Sequence, residues 1–152
     1  MTFLLWYNHS MTKYNLYIPI QVRYSDLDAQ WHVNNAKFMS YIEQARFEYL
    51  VKLGLFDGKS FEDLKAIVAD VHIAYKAPIM LGQNVRVGVR VAHIGNKSLQ
   101  FEYQIEDADD GSILATCENV MVAYDFHTHT SQPVSDQWRQ AISAFEGLDF
   151  TK

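Results

Sequence analysis

The chain has 152 residues, 49% hydrophobic and 20% charged, with 13 Lys and Arg against 18 Asp and Glu for a formal charge of -5. This is a globular composition, and its acidic balance argues against nucleic-acid binding or attachment to an anionic membrane, both of which need a basic face. No stretch approaches the ~20 apolar residues that span a bilayer, and the lone Cys117 cannot bridge internally. A reducing, cytoplasmic setting is the expectation.

Residues 1–12 carry a short apolar run, Phe3 to Tyr7, without the basic start or cleavage site of a secretion signal. They read as a loose extension ahead of one domain over 13–147. Between Tyr14 and Tyr24, Leu16, Ile18, Ile20 and Val22 alternate with Tyr17, Pro19, Gln21 and Arg23. Period two predicts a half-buried strand, and Pro19 suits an edge or a strand start. The polar run SDLDAQWHVNN ends it. A helix is then predicted from Ala36 to Leu53, with Asn34 or Asn35 as N-cap and Gly54 as C-cap. On a wheel of 100° per residue, Phe38, Met39, Ile42, Ala45, Tyr49, Leu50 and Leu53 share one wide apolar stripe. Arg46 falls inside that stripe and Glu43 on its edge, three residues apart, so they can pair.

Four strands are predicted next. Ile67, Ala69, Val71, Ile73 and Tyr75 form the apolar phase of 67–76, and Val85, Val87, Val89 and Val91 that of 85–93. In 99–105 it is Leu99, Phe101, Tyr103 and Ile105, while 113–126 slips phase near Glu118, as a bulge or two-sided burial would require. An odd loop between the middle pair, Gly95-Asn96-Lys97, keeps both apolar faces on one side. It sets Val91 against Phe101 and Val89 against Tyr103, with Arg90 facing Glu102 and Arg86 facing Glu106. A short tail helix over Val134–Glu146 shows Trp138, Ile142 and Phe145 on one face. One apolar helix against one antiparallel sheet is a two-layer α+β domain. The economical form is a five-stranded sheet curled around one long central helix.

The run SDLDAQWHVNN delivers Asp26 and Asp28 to the N-terminus of that helix. Unpaired amides and about half a positive charge collect there, which suits a polarised carbonyl or an oxyanion. A carboxylate beside an amide donor suffices for ester or thioester hydrolysis, with the carboxylate as nucleophile or as base for water. No G-x-S-x-G elbow, P-loop, GxGxxG or CxxC competes with this reading.

The segment DLDAQWHVNNAKFMSYIEQARFEYL resembles the signature of hotdog-fold acyl-CoA thioesterases of the 4-hydroxybenzoyl-CoA thioesterase type. Its elements are the Asp-x-Asp pair, His-Val-Asn-Asn, and a helix with Glu-x-Ala-Arg; Lys76-Ala77-Pro78 before Leu81-Gly82 is similar too. The resemblance implies that Asp28 is the catalytic carboxylate and that the Asn35 amide polarises the thioester carbonyl. It further implies a homodimer or homotetramer whose acyl chain enters beside the helix at the subunit interface. Many members have glycine before His32, where this chain has Trp31 preceded by Gln30. That departure bears on the turn and on the width of the acyl pocket.

Blander readings apply to the neighbours. Asp26 reads as a turn residue. Asn34 reads as a cap and His32 as a structural hydrogen-bonder, both kept with Trp31 as candidate substrate contacts. Glu43 is the rival acid, although pairing with Arg46 favours a structural role. His127 and His129 lack the supporting ligands of a metal site. The expectation is therefore hydrolysis of acyl-CoA by Asp28, with no metal and no cofactor. The alternatives are an acyl-carrier-protein thioesterase, a non-catalytic acyl-CoA or lipid binder, and a dehydratase using His32 with an acid.

Overall fold

A computed structural model describes residues 14–152, so the extension expected over 1–12 lies outside the described residues. Strand β1 (Leu16–Ile20) is followed by helix α1 (Asn35–Lys52), then β2 (Ala66–Tyr75), β3 (Val85–Ile94), β4 (Ser98–Asp107) and β5 (Ile113–Asp125). These five strands form an antiparallel sheet in the order β1-β3-β4-β5-β2. Pro19 sits on the edge strand β1, where a missing amide costs no ladder bond. A two-residue strand β6 (Thr130–Ser131) extends the end of β5, and helix α2 (Asp136–Glu146) follows.

Helix α1 begins where Asn34 accepts the Ala36 amide and ends where Gly54 takes a φ of +70°, which costs a residue without Cβ little. Phe38, Ile42, Ala45, Tyr49 and Leu50 are buried against the sheet as the wheel predicts. Tyr41 is buried as well, off the predicted stripe, because its hydroxyl has a partner in the loop before the helix. Arg46 lies nearly buried within the stripe, 4.0 Å from an exposed Glu43.

The β3–β4 register matches expectation at Val91–Phe101, Arg90–Glu102, Val89–Tyr103 and Arg86–Glu106. The device that achieves it differs. Gly95 donates to the Ser98 carbonyl, so the turn itself holds only Asn96 and Lys97, an even loop. A bulge between Val91 and His93 supplies the odd residue and keeps Ile94 and Leu99 facing inward. The predicted phase slip near Glu118 is likewise displaced. Strand β5 holds one phase from Ala115 to Ala123, and its bulge lies where Ile105 pairs with Ala115 but Glu106 with Ile113. The buried Asn119 on the inward face mimics a slip in the sequence.

Strand β2 corrects the sequence reading most. A bulge between Val68 and Asp70 splits it, so Ala66 and Val68 share the inward phase with Val71, Ile73 and Tyr75. As the other edge strand it stays largely exposed, with Ile67, Val68, Val71 and Tyr75 open to solvent.

Helix α2 is the tail helix expected over Val134–Glu146, and it stands as a second helix beside the one central helix of the expected architecture. Trp138 and Ile142 are buried, and Phe145 meets Tyr49 edge to face. Its last residue, Glu146, accepts both the Tyr49 hydroxyl at 2.7 Å and the Val91 amide at the β3 bulge at 3.0 Å. One carboxylate thereby ties α2 to α1 and to the sheet.

Candidate active site

The loop between β1 and α1 is built on backbone bonds. A short helical turn, Tyr24–Asp26, is followed by a bridge between Leu27 and Val33, and the Val33 amide reaches the Ile79 carbonyl at 2.8 Å. Between these anchors the Asp28 amide donates to the His32 carbonyl and the Trp31 amide to the Asp28 carbonyl. This closes a four-residue turn with Trp31 at φ +61°. The glycine familiar at that place has a physical reason, since a Cβ in left-handed backbone costs about 1–2 kcal/mol.

The two aspartates have separate fates. Asp26 is fully buried, accepting the Arg23 amide at 3.0 Å, the Arg23 guanidinium and the Tyr41 hydroxyl at 2.8 Å. Burial alone would raise its pKa, but these donors outweigh it and hold the carboxyl below its ordinary 3.8. Burial and the Asp26 bond together push the Tyr41 hydroxyl far above its ordinary value. Asp26 is thus more than a turn residue. Its own carbonyl also accepts the Asn34 amide, fixing the start of α1.

Asp28 is half-buried and, among the described residues, receives a single hydrogen bond, from the Gln30 amide to Oδ1 at 2.8 Å. It lines a cavity of about 290 Å³ with His32, Val33, Asn35 and Phe38 on one side and Tyr75, Lys76, Ala77 and Pro78 on the other. At the helix start, Asn34 satisfies the Ala36 amide with its side chain and the Lys37 amide with its carbonyl. The Asn35 amide finds no acceptor among the described residues and belongs to this same cavity. A free amide at a helix N-terminus is a preformed donor for developing negative charge.

The cavity therefore brings together Asp28, Asn35 and His32 of the predicted set. Asn34 serves as the cap. His32 bridges to Met80 through its backbone and is one of the residues lining the cavity. Glu43 lines neither this cavity nor the next and is mostly exposed. Trp31 lines a second cavity of about 320 Å³, which it shares with Asp28, Tyr24, Ser25, Leu27 and Ala29.

Sequence reasoning missed the far wall. Tyr75, at the end of β2, meets Phe38 edge to face at 5.0 Å and donates to the Asn35 carbonyl at 3.3 Å. The available signal was Lys76-Ala77-Pro78, which carried the resemblance without revealing that it faces the helix start.

Among the described residues no helix is long and apolar enough to cross a membrane. The long-chain acyl-CoA thioesterase FadM of Escherichia coli is 24% identical over 123 residues, covering 81% of this chain and 93% of that protein. A Thermus thermophilus thioesterase solved with coenzyme A and zinc shares 33% identity at a TM-score of 0.79, covering 90% of this chain and 98% of that one. A 1,4-dihydroxy-2-naphthoyl-CoA thioesterase from Synechocystis, 18% identical with a TM-score of 0.77, covers 86% of this chain and 96% of that one and shares the fold. The family model of the thioesterase-like superfamily matches residues 22–142, and the chain belongs to that superfamily.

Proposed function

We propose that the chain is an acyl-CoA thioesterase in which Asp28 is the catalytic carboxylate and the Asn35 amide holds the thioester oxygen. The observation that carries this reading is one cavity lined by both Asp28 and Asn35, a carboxylate with one oxygen and a helix-start amide that have no partner among the described residues. Asp28 either deprotonates a water that attacks the thioester carbon or attacks that carbon itself. Both routes place negative charge on the carbonyl oxygen, where the Asn35 amide stabilises it, and both expel coenzyme A as thiolate. In the second route a mixed anhydride on Asp28 is then hydrolysed. The acyl arm runs along the apolar wall of Val33, Phe38 and Tyr75.

The cavity opens beside the exposed edge strand β2, of which Tyr75 is part. Exposed Val68 and Val71 there, with Phe47 and Val51 on α1, supply apolar surface that a second copy of the chain would cover. We infer a homodimer or a dimer of dimers with the site at the subunit boundary. This places the acyl end of the cavity against the partner.

The test is release of free thiol from short, medium, long and aromatic acyl-CoAs by wild type, Asp28→Asn and Glu43→Gln. Loss of one general base costs about 10²–10⁴-fold, and that is the result expected for Asp28→Asn alone. Glu43→Gln should stay within about threefold of wild type, the range left by a weak exposed ion pair. A dead Glu43→Gln beside an active Asp28→Asn would move the catalyst to α1. Single-turnover hydrolysis in ¹⁸O-water tests the second route, since label enters Asp28 only when water attacks the Asp28 carbonyl carbon of the anhydride and expels the acyl carboxylate.

A further inference from the structure

Trp31 combines two unfavourable features. It holds a φ of +61°, and its side chain is 61% exposed, so burial does not repay the backbone. Its ring leans edge to face on Tyr24 at 6.2 Å, and Tyr24 is itself 71% exposed. Together they form an aromatic shelf in the 320 Å³ cavity whose one ionisable carboxylate is Asp28. Asp28 is common to this cavity and to the one holding the Asn35 amide.

A thioester has two arms diverging from the carbon that Asp28 must reach. Asp28 lines two separate cavities. We propose that the Tyr24–Trp31 shelf receives the thiol-bearing arm of the substrate, the pantetheine of coenzyme A, while the acyl arm takes the cavity beside α1. This rests on the thioesterase reading above.

The assignment of arms follows from burial. An acyl chain gains by leaving water, about 25 cal/mol per Å², and the wall it needs is present at Val33 and Phe38, which are 3% and 2% exposed. On the open shelf an acyl chain would stay half in water. Pantetheine is neutral and carries two amides that keep their hydration while its methylenes and methyls rest on aromatic faces. The shelf also contains no cation, which the arm next to the sulfur does not need.

Trp31→Gly is the informative variant, because glycine suits the positive φ and the turn bonds are backbone bonds. Its thermal midpoint should equal or exceed that of wild type. An aromatic contact of about 0.5–1.5 kcal/mol corresponds to roughly a two- to twelvefold change. We expect kcat/KM for an acyl-CoA to fall by that factor, with the S-ethyl thioester of the same acid hydrolysed equally well by both proteins. Titration calorimetry should show free pantetheine binding weakened by the same factor. Tyr24→Ala should act in the same direction. Equal losses on the CoA and S-ethyl thioesters would assign Trp31 to the turn or the acyl arm and overturn the proposal, as would unchanged pantetheine binding. The binding arm needs no turnover, so it tests the shelf even if no acyl-CoA is hydrolysed. Absence of hydrolysis would count against the thioesterase reading instead.

Discussion

Asp26 and Asp28 stand two residues apart in one loop, yet they occupy opposite physical situations. Asp26 is enclosed, with its oxygens filled by Arg23 and Tyr41 and its backbone holding Asn34. Asp28 has, among the described residues, one backbone donor on one oxygen, and it lines two cavities. A carboxylate saturated by donors is a poor base and nucleophile, because its lone pairs are already committed. Enclosing the first aspartate aims the second.

The sharpest way to break this comparison is to neutralise each in turn. Asp28→Asn should cost about 10²–10⁴-fold in kcat and leave the urea midpoint where it was, since the Gln30 amide can still donate to the Asn oxygen. Asp26→Ala should do the reverse in kind. It strands the buried Tyr41 hydroxyl, at about 1–3 kcal/mol for a buried group left unpaired, and the part-buried Arg23 amide at a smaller cost, so the unfolding free energy should fall by about 2–4 kcal/mol. Denaturant titration of both variants beside a thiol-release assay checks the pair. If Asp26→Ala unfolds like wild type and is inactive, the roles assigned to the two are exchanged.

The division between the aspartates was not legible from their spacing. Alternation separates residues i and i+2 from i+1, so it treats both as alike. What separates them is Tyr41, 15 residues on, whose hydroxyl reaches back from α1. The wheel left Tyr41 off the apolar stripe because it scores faces toward the sheet, whereas Tyr41 is buried against its own preceding loop. Helix α1 and the valine phase of β3 were readable because each repeats over many residues against one partner surface. The bulges were not. Whether Ala69 or Ala92 is the extra residue depends on where the neighbouring strand runs, and that strand is elsewhere in the sequence. The same holds for the cavity: its helix side is one contiguous motif, but Tyr75 and Pro78 come from the end of another strand.

A third carboxylate sharpens the contrast at smaller amplitude. Glu146 resembles Asp26 in accepting one backbone amide and one tyrosine hydroxyl from α1, but among the described residues no guanidinium binds it directly. Burial therefore prevails over the bonds from Tyr49 and Val91 and over the more distant Arg90, and its pKa lies above the ordinary 4.5. The two groups must then act on stability with opposite signs. Asp26, with a lowered folded pKa, stabilises the fold above 3.8 and loses that contribution as the pH falls through the folded value. Glu146 stabilises it fully below 4.5 and loses that contribution as the pH rises through its raised folded value. Glu146→Gln keeps an oxygen for Tyr49 and Val91 but cannot ionise. The unfolding free energy of the variant, measured against wild type from pH 4 to pH 8, should improve as the pH rises from 4.5 through the raised folded value and hold level above it. A difference that stays level across that range would mean that Glu146 is as well compensated as Asp26, and that an arginine is not what distinguishes the two.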